Sequence, residues 1–198
     1  MLNWFRPKDD VAAFWRWFGA NADKIRKGVE RQDHALIIGK LGDRLSKVHP
    51  TVVHEIGKPD ADTVELIISA DGMREALPAV LALTRAAPKL PGFLFTAFRH
   101  RWPTLGLEIL DRKITGDDVR YNSAFDGEKL DLAVFIDGDF TERERSMIGF
   151  LMLDQALGEY DVMTGVGAVS FEALAPPEAR PLADLAAEFD AFRGATTH

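Results

Sequence analysis

The sequence predicts an α+β fold, with a largely antiparallel sheet of about six to seven strands and helices mainly on one face. Three observations carry this. Short alternating strands come in adjacent pairs, apolar residues recur at helical spacing between and beyond them, and glycine and proline punctuate the joins. Residues 66–72 and 134–139 each follow a strand and lead through an Asp-Gly turn into a helix and a further strand. That order leaves open two β-β-α-β units, by duplication or by coincidence, because Asp-Gly commonly turns a strand into a helix.

The first helix is expected over 9–27, where Val11, Phe14, Trp15 and Phe18 form one apolar face behind the cap candidates Asp9 and Asp10. A second is expected over 32–48, weakened by Gly39 and Gly42, each of which costs about 1 kcal/mol relative to alanine inside a helix. Pro50 ends it. Residues 51–56 and 63–69 alternate and read as a hairpin, with His54 on the same side as Val52 and Ile56, as a satisfied core histidine. The helix over 73–86 contains Pro78, so it starts or bends there. Strands follow over 93–99, 105–110, 118–125 and 130–137, the last two joined by an Asp126-Gly127-Glu128 turn. In helix 141–157, Thr141 and Glu144 form a capping box, Gly158 caps the far end and the interior is apolar nearly all round. A last strand is expected over 161–172. The expected domain runs over 1–172. Over 173–198, a linker with Pro176, Pro177 and Pro181 precedes a docked helix carrying Leu182, Leu185, Phe189 and Phe192, with fraying from Gly194 to His198.

Charge and composition narrow the function. Thirty-one acidic against 24 basic residues give a net charge of −7, which opposes binding to a nucleic-acid backbone. There is no cysteine, so disulfides, thiolate zinc sites and cysteine nucleophiles are excluded, and a reducing, cytoplasmic setting is expected. Charged residues follow directly on the apolar start at 1–5, so no secretory signal is expected, and no apolar run reaches the roughly 18 residues that a membrane span needs. The histidines show no metal-ligand spacing, no serine sits in a Gly-x-Ser-x-Gly elbow, and Gly165-Val166-Gly167 lacks the third glycine of a dinucleotide fingerprint.

Four groups remain as candidates. Trp17 lies at the edge of the aromatic stripe and suits a binding platform, although such rings more often pack on a sheet. Arg99, His100, Arg101 and Trp102 form a basic patch able to grip an acidic group, or a solvated loop. Asp154, Glu159 and Asp161 surround a helix C-terminus, where carboxylates need a partner; an ion-pair network is favoured over acid/base work. Asp71, Asp137 and Asp139 follow strands and would hold a hard cation if they converged, or cap turns if they did not.

The runs Phe14-Trp15-Arg16-Trp17-Phe18, Ile68-Ser69-Ala70-Asp71-Gly72, Ala86-Ala87-Pro88-Lys89-Leu90-Pro91-Gly92 and Leu153-Asp154-Gln155-Ala156-Leu157-Gly158-Glu159-Tyr160-Asp161 occur in this order. Together they resemble a group of uncharacterised bacterial proteins of similar length, over about residues 14–169. The resemblance implies a bacterial α+β domain and brings no activity, cofactor or catalytic residue. The expectation is a non-catalytic binding or regulatory module for a protein or small ligand, monomeric or homodimeric and without a cofactor. The alternative is a metal-dependent hydrolase built on the three aspartates.

Overall fold

Phe14, Trp15 and Phe18 are buried along one side of helix α1 (Pro7–Glu30) and explain how the first part of the chain folds. Strand β2 (Val64–Ser69) pairs antiparallel with β1 (Val53–Gly57) and parallel with β3 (Phe93–Ala97). The parallel register puts Val64, Leu66 and Ile68 on the same face as Phe93 and Phe95. The rings of Trp15 and Phe18 meet Phe95 edge-on at 4.6 and 5.3 Å, and Phe18 also meets Phe93 at 5.2 Å. Such edge-to-face pairs contribute about 0.5–1.5 kcal/mol each beyond the area they bury. The crossover between β2 and β3 is a 3-10 turn (Arg74–Ala76) and helix α3 (Leu77–Arg85), which starts at Pro78, where a missing N–H costs nothing. The Trp15 indole donates to the Leu83 carbonyl and ties α1 to α3.

This computed structural model describes residues 7–109, 111–125 and 127–196. Contacts divide the chain into two compact units, with the boundary between Arg99 and His100. The chain expected to form one domain over 1–172 thus falls into two contact units. Residues 173–198 belong to the second unit. Strand β9 (Arg180–Pro181) pairs with its sheet, and Leu182, Leu185 and Phe189 lie in its core.

The second unit repeats the pairing of the first. Strand β6 (Val119–Phe125) pairs antiparallel with β7 (Leu130–Ile136), which pairs parallel with β8 (Val166–Glu172). The crossover is made by α4 (Glu142–Leu157) and α5 (Glu159–Gly165). Sheet order is β8-β7-β6-β9, against β1-β2-β3 in the first unit. A further hairpin joins β4 (Gly106–Ile109) to β5 (Arg112–Thr115). The fold is α+β, in two β-β-α-β units, and among the described residues four of six strand pairings are antiparallel. Among the described residues, nine strands form three sheets instead of one of six or seven. Among the described residues, no helix is long and apolar enough to cross a membrane.

Several elements differ from expectation. The second helix is a π-helical turn (Ala35–Lys40) followed by α2 (Leu41–Leu45), and the chain enters it through Gln32 at φ 55°. His54 faces this turn and donates from Nε2 to the Ile37 carbonyl at 2.7 Å. Burial holds its pKa below the ordinary value, against the raising effects of that carbonyl and of Glu55. Residues 159–165 are helical instead of strand, because Gly158 at φ 81° resets the backbone and its carbonyl accepts from the Val162 amide. Strand β5 was not expected at all, its charged residues masking the alternation. Asp126 of the expected 126–128 turn lies outside the described residues, as do 1–6, 110, 197 and 198; helix α6 (Leu185–Thr196) continues through Gly194.

Besides its core residues Leu185 and Phe189, helix α6 is tied to the sheet by a carboxylate. Glu188 accepts from Tyr121 and Ser123, both at 2.6 Å, and pairs with Arg180, whose guanidinium lies 4.6 Å over the Tyr121 ring. Burial alone would raise the Glu188 pKa, but the hydrogen bonds from Arg180, Ser123 and Tyr121 outweigh it and hold the carboxyl below its ordinary 4.5. Its stabilisation is therefore present above the unfolded-state pKa and is lost as the pH falls through the lower folded value. Glu188→Gln is expected to cost about 1–3 kcal/mol near neutrality, measured by urea unfolding, and to reduce the acid sensitivity of the midpoint. An unchanged pH profile would acquit Glu188. Gly165 makes a second test. A methyl there would lie 2.4 Å from Cζ of Phe189, which is fully buried and cannot swing away. Gly165→Ala is expected to lower stability by about 1–3 kcal/mol through overpacking; a variant as stable as the parent would show that this core yields.

Candidate functional site

The expected basic patch divides between the two units and is largely internal wiring. In the first unit, Arg99 pairs with Glu55 and with Asp71, the latter at 3.0 Å. In the second, Arg101 donates from Nε to the Leu157 carbonyl at 2.7 Å, capping the end of α4, and its other nitrogens reach Asp190 and Asp161. Arg193 stands 3.7 Å from Asp161 as well. Asp161 lies in the first turn of α5, where the helix dipole already suits a carboxylate, and the two arginines pair with it there. Asp154 and Glu159 are buried. His100 is exposed, and Trp102 is 58% exposed while its amide donates to the Gln155 carbonyl. Trp17 is half-buried, with the Arg44 guanidinium 5.3 Å over its ring.

The three aspartates divide between the two units. Asp71 sits at φ 52° in the turn after β2 and is paired with Arg99, while Asp137 and Asp139 flank Gly138 in the turn after β7. Among the described residues, no group of three His, Asp or Glu side chains is gathered to hold a metal ion. Asp71 has the turn-forming role that is ordinary for aspartate after a strand.

What the structure does assemble is a cleft of about 570 Å³ in the second unit. It lies beyond the carboxyl ends of the parallel strands β7 and β8, where the crossover helix begins. That position is the usual ligand crevice of sheets with parallel strands, because the connecting loops diverge there. One wall is β5, with Arg112, Lys113 and Ile114; Asp118 and Arg120 form the turn and start of β6. Phe135 to Gly138 and Phe140 supply the floor, and Ala173, Leu174 and Ala175 the opposite rim.

The floor is shaped by a buried guanidinium. Arg145, 9% exposed in the first turns of α4, donates to the carbonyls of Ile136 at 3.1 Å, Phe140 at 3.0 Å and Gly138 at 2.9 Å. Those carbonyls are drawn inward, and the loop bends through Gly138 at φ 129°. A side chain at Gly138 would meet the Phe140 ring at 2.8 Å and Nη1 of Arg112 at 3.0 Å, so glycine is required on two counts. The capping box closes the helix start, with the Thr141 amide donating to Glu144 and the Glu144 amide to the Thr141 hydroxyl. The cleft therefore draws its positive character from side chains and not from open amides at the helix end.

Arg112 is placed without a salt bridge. Its guanidinium lies 4.6 Å over the Phe140 ring and against Gly138, makes no hydrogen bond or ion pair among the described residues, and its charge helps to lower the Glu144 pKa. Arg120 uses one nitrogen on the Ala179 carbonyl, at 2.9 Å. Asp118, by contrast, is occupied. The Thr115 hydroxyl and amide both donate to it and hold its pKa below the ordinary carboxylate value.

Sequence reasoning found Asp137 in this cleft but missed Arg112, Lys113, Arg120, Phe140 and Arg145. Arg145 did leave a signal, an arginine just behind a capping box on a helix that is otherwise apolar inward. Arg145→Leu is expected to lower stability by about 2–5 kcal/mol, since three buried carbonyls lose a charged donor. Arg145→Lys, restoring the charge without the fork, should recover only part of it in thermal melts. A leucine variant as stable as the parent would show that water replaces the guanidinium. No family model, curated protein or solved structure matches the chain, and the reading of the cleft rests on its own geometry.

Proposed function

We propose that this protein is a non-catalytic binding module that takes a small anionic ligand into the cleft of its second unit. The observation that carries the reading is Arg112, a guanidinium fixed by stacking on Phe140 with its donors free and facing a cavity of ligand size. Guanidinium suits this task because its planar fork matches a carboxylate or phosphate with two parallel hydrogen bonds. Lys113 and Arg120 also line the cleft and add positive charge, on a chain that is acidic as a whole. Binding is favoured over hydrolysis because Asp118, a lining carboxylate, is held ionised by Thr115 and is a poor proton acceptor. The lack of cysteine supports a cytoplasmic setting for such a module.

Titration calorimetry with acetate and with inorganic phosphate tests the reading. One of the two is expected to bind the parent protein at millimolar concentration or below. Arg112→Ala should weaken that binding by about 10- to 100-fold, the worth of a charge-assisted pair, with an unchanged melting temperature. Binding of neither anion, or equal binding by the variant, would remove the proposal.

A further inference from the structure

The cleft also holds a free negative charge. Asp137 is exposed on its floor and, among the described residues, has neither a hydrogen bond nor an ion pair. It directly precedes Gly138, against which the Arg112 guanidinium rests. Both groups line the same cleft, and the Arg112 guanidinium is stacked on Phe140 and not paired with Asp137. Of the apolar residues lining the cleft, Leu174 is 80% exposed, whereas Ile114 and Phe135 are buried.

From this juxtaposition, and resting on the anion-binding reading above, we propose that the ligand is a zwitterion, a free α-amino acid with an apolar side chain. Its carboxylate pairs with Arg112, its ammonium with Asp137, and its side chain covers the exposed Leu174. A ligand carrying both charges neutralises both walls at once. A simple anion leaves Asp137 unpaired and repelling it. The unpaired aspartate is thus the element that selects against ligands lacking an amine.

The experiment is calorimetry on the full chain with L-leucine, L-valine, L-methionine and L-phenylalanine. Each is compared with the carboxylic acid lacking its amine and the amine lacking its carboxylate. At least one amino acid is expected to bind roughly tenfold or more tighter than its deaminated acid, as befits a charge-assisted pair, and its decarboxylated amine should not bind. Asp137→Asn, an exposed substitution checked for folding by circular dichroism, should bring amino acid and acid to equal affinity. If the acids bind the parent as tightly as the amino acids, the zwitterion proposal fails while the anion-binding reading stands. If Asp137→Asn keeps the full preference, the ammonium is held elsewhere and the proposal fails in the same way. If neither acids nor amino acids bind, and acetate and phosphate do not either, both readings fail together.

Discussion

Arg145 carries its charge into the second unit and meets no carboxylate there; three main-chain carbonyls take it instead. Burying an ion costs several kcal/mol, so the arrangement persists only if its hydrogen bonds are nearly complete. Three bonds to a charged donor, each worth about 1.5–3 kcal/mol net, are of the size needed to offset that cost. The geometry of the loop follows. Its carbonyls must point inward, Gly138 must take a backbone angle open to few other residues, and Phe140 packs against the core with Arg112 over its ring. Remove the buried charge and nothing else described would gather those three oxygens.

The two units share a pairing scheme but resolve the same corner differently. In the first, the turn after β2 delivers Asp71 to Arg99, and Glu55 from β1 completes the pairing of that arginine. Its charges are matched within the unit, and the corner reads as a structural closure. In the second, the turn after β7 is fixed from beneath by Arg145, so Asp137 is released from any structural duty. Arg112 is likewise held by a ring and not by an acid. Stacking on an aromatic face orients a guanidinium while leaving its edge donors unused, which an ion pair does not.

Much of the fold was legible in the sequence because it rests on local periodicity. The capping box at Thr141 and Glu144, the apolar stripe of α1, the start of α3 at Pro78 and the paired strands are written within a few residues each. The division into two units was not. Each helical face shows that it is buried without showing which sheet it lies against, and both units present the same alternation of strands and helices. Strand β5 was hidden for another reason. Its residues Arg112, Lys113, Ile114 and Thr115 put a single buried side chain, Ile114, among exposed or half-exposed ones, so the hydrophobic signal of a strand is weak where the site residues lie.

The site was harder to read than the fold for a reason that concerns charge. Clusters of charge along the sequence, such as Arg99 to Trp102 or Asp154 to Asp161, draw attention because they are concentrated. Concentrated opposite charges tend to neutralise one another, as Arg101 and Asp161 do. A group free to bind something else must be kept from its natural partners, and that isolation comes from residues distant in sequence: Phe140 for Arg112, Gly138 for the space between. In a chain this rich in ionic residues, the informative charge is therefore the one whose position is fixed by something other than an opposite charge. Arg112 meets that condition through the ring beneath it, and Asp137 meets it because the buried guanidinium of Arg145 already sets the course of the loop.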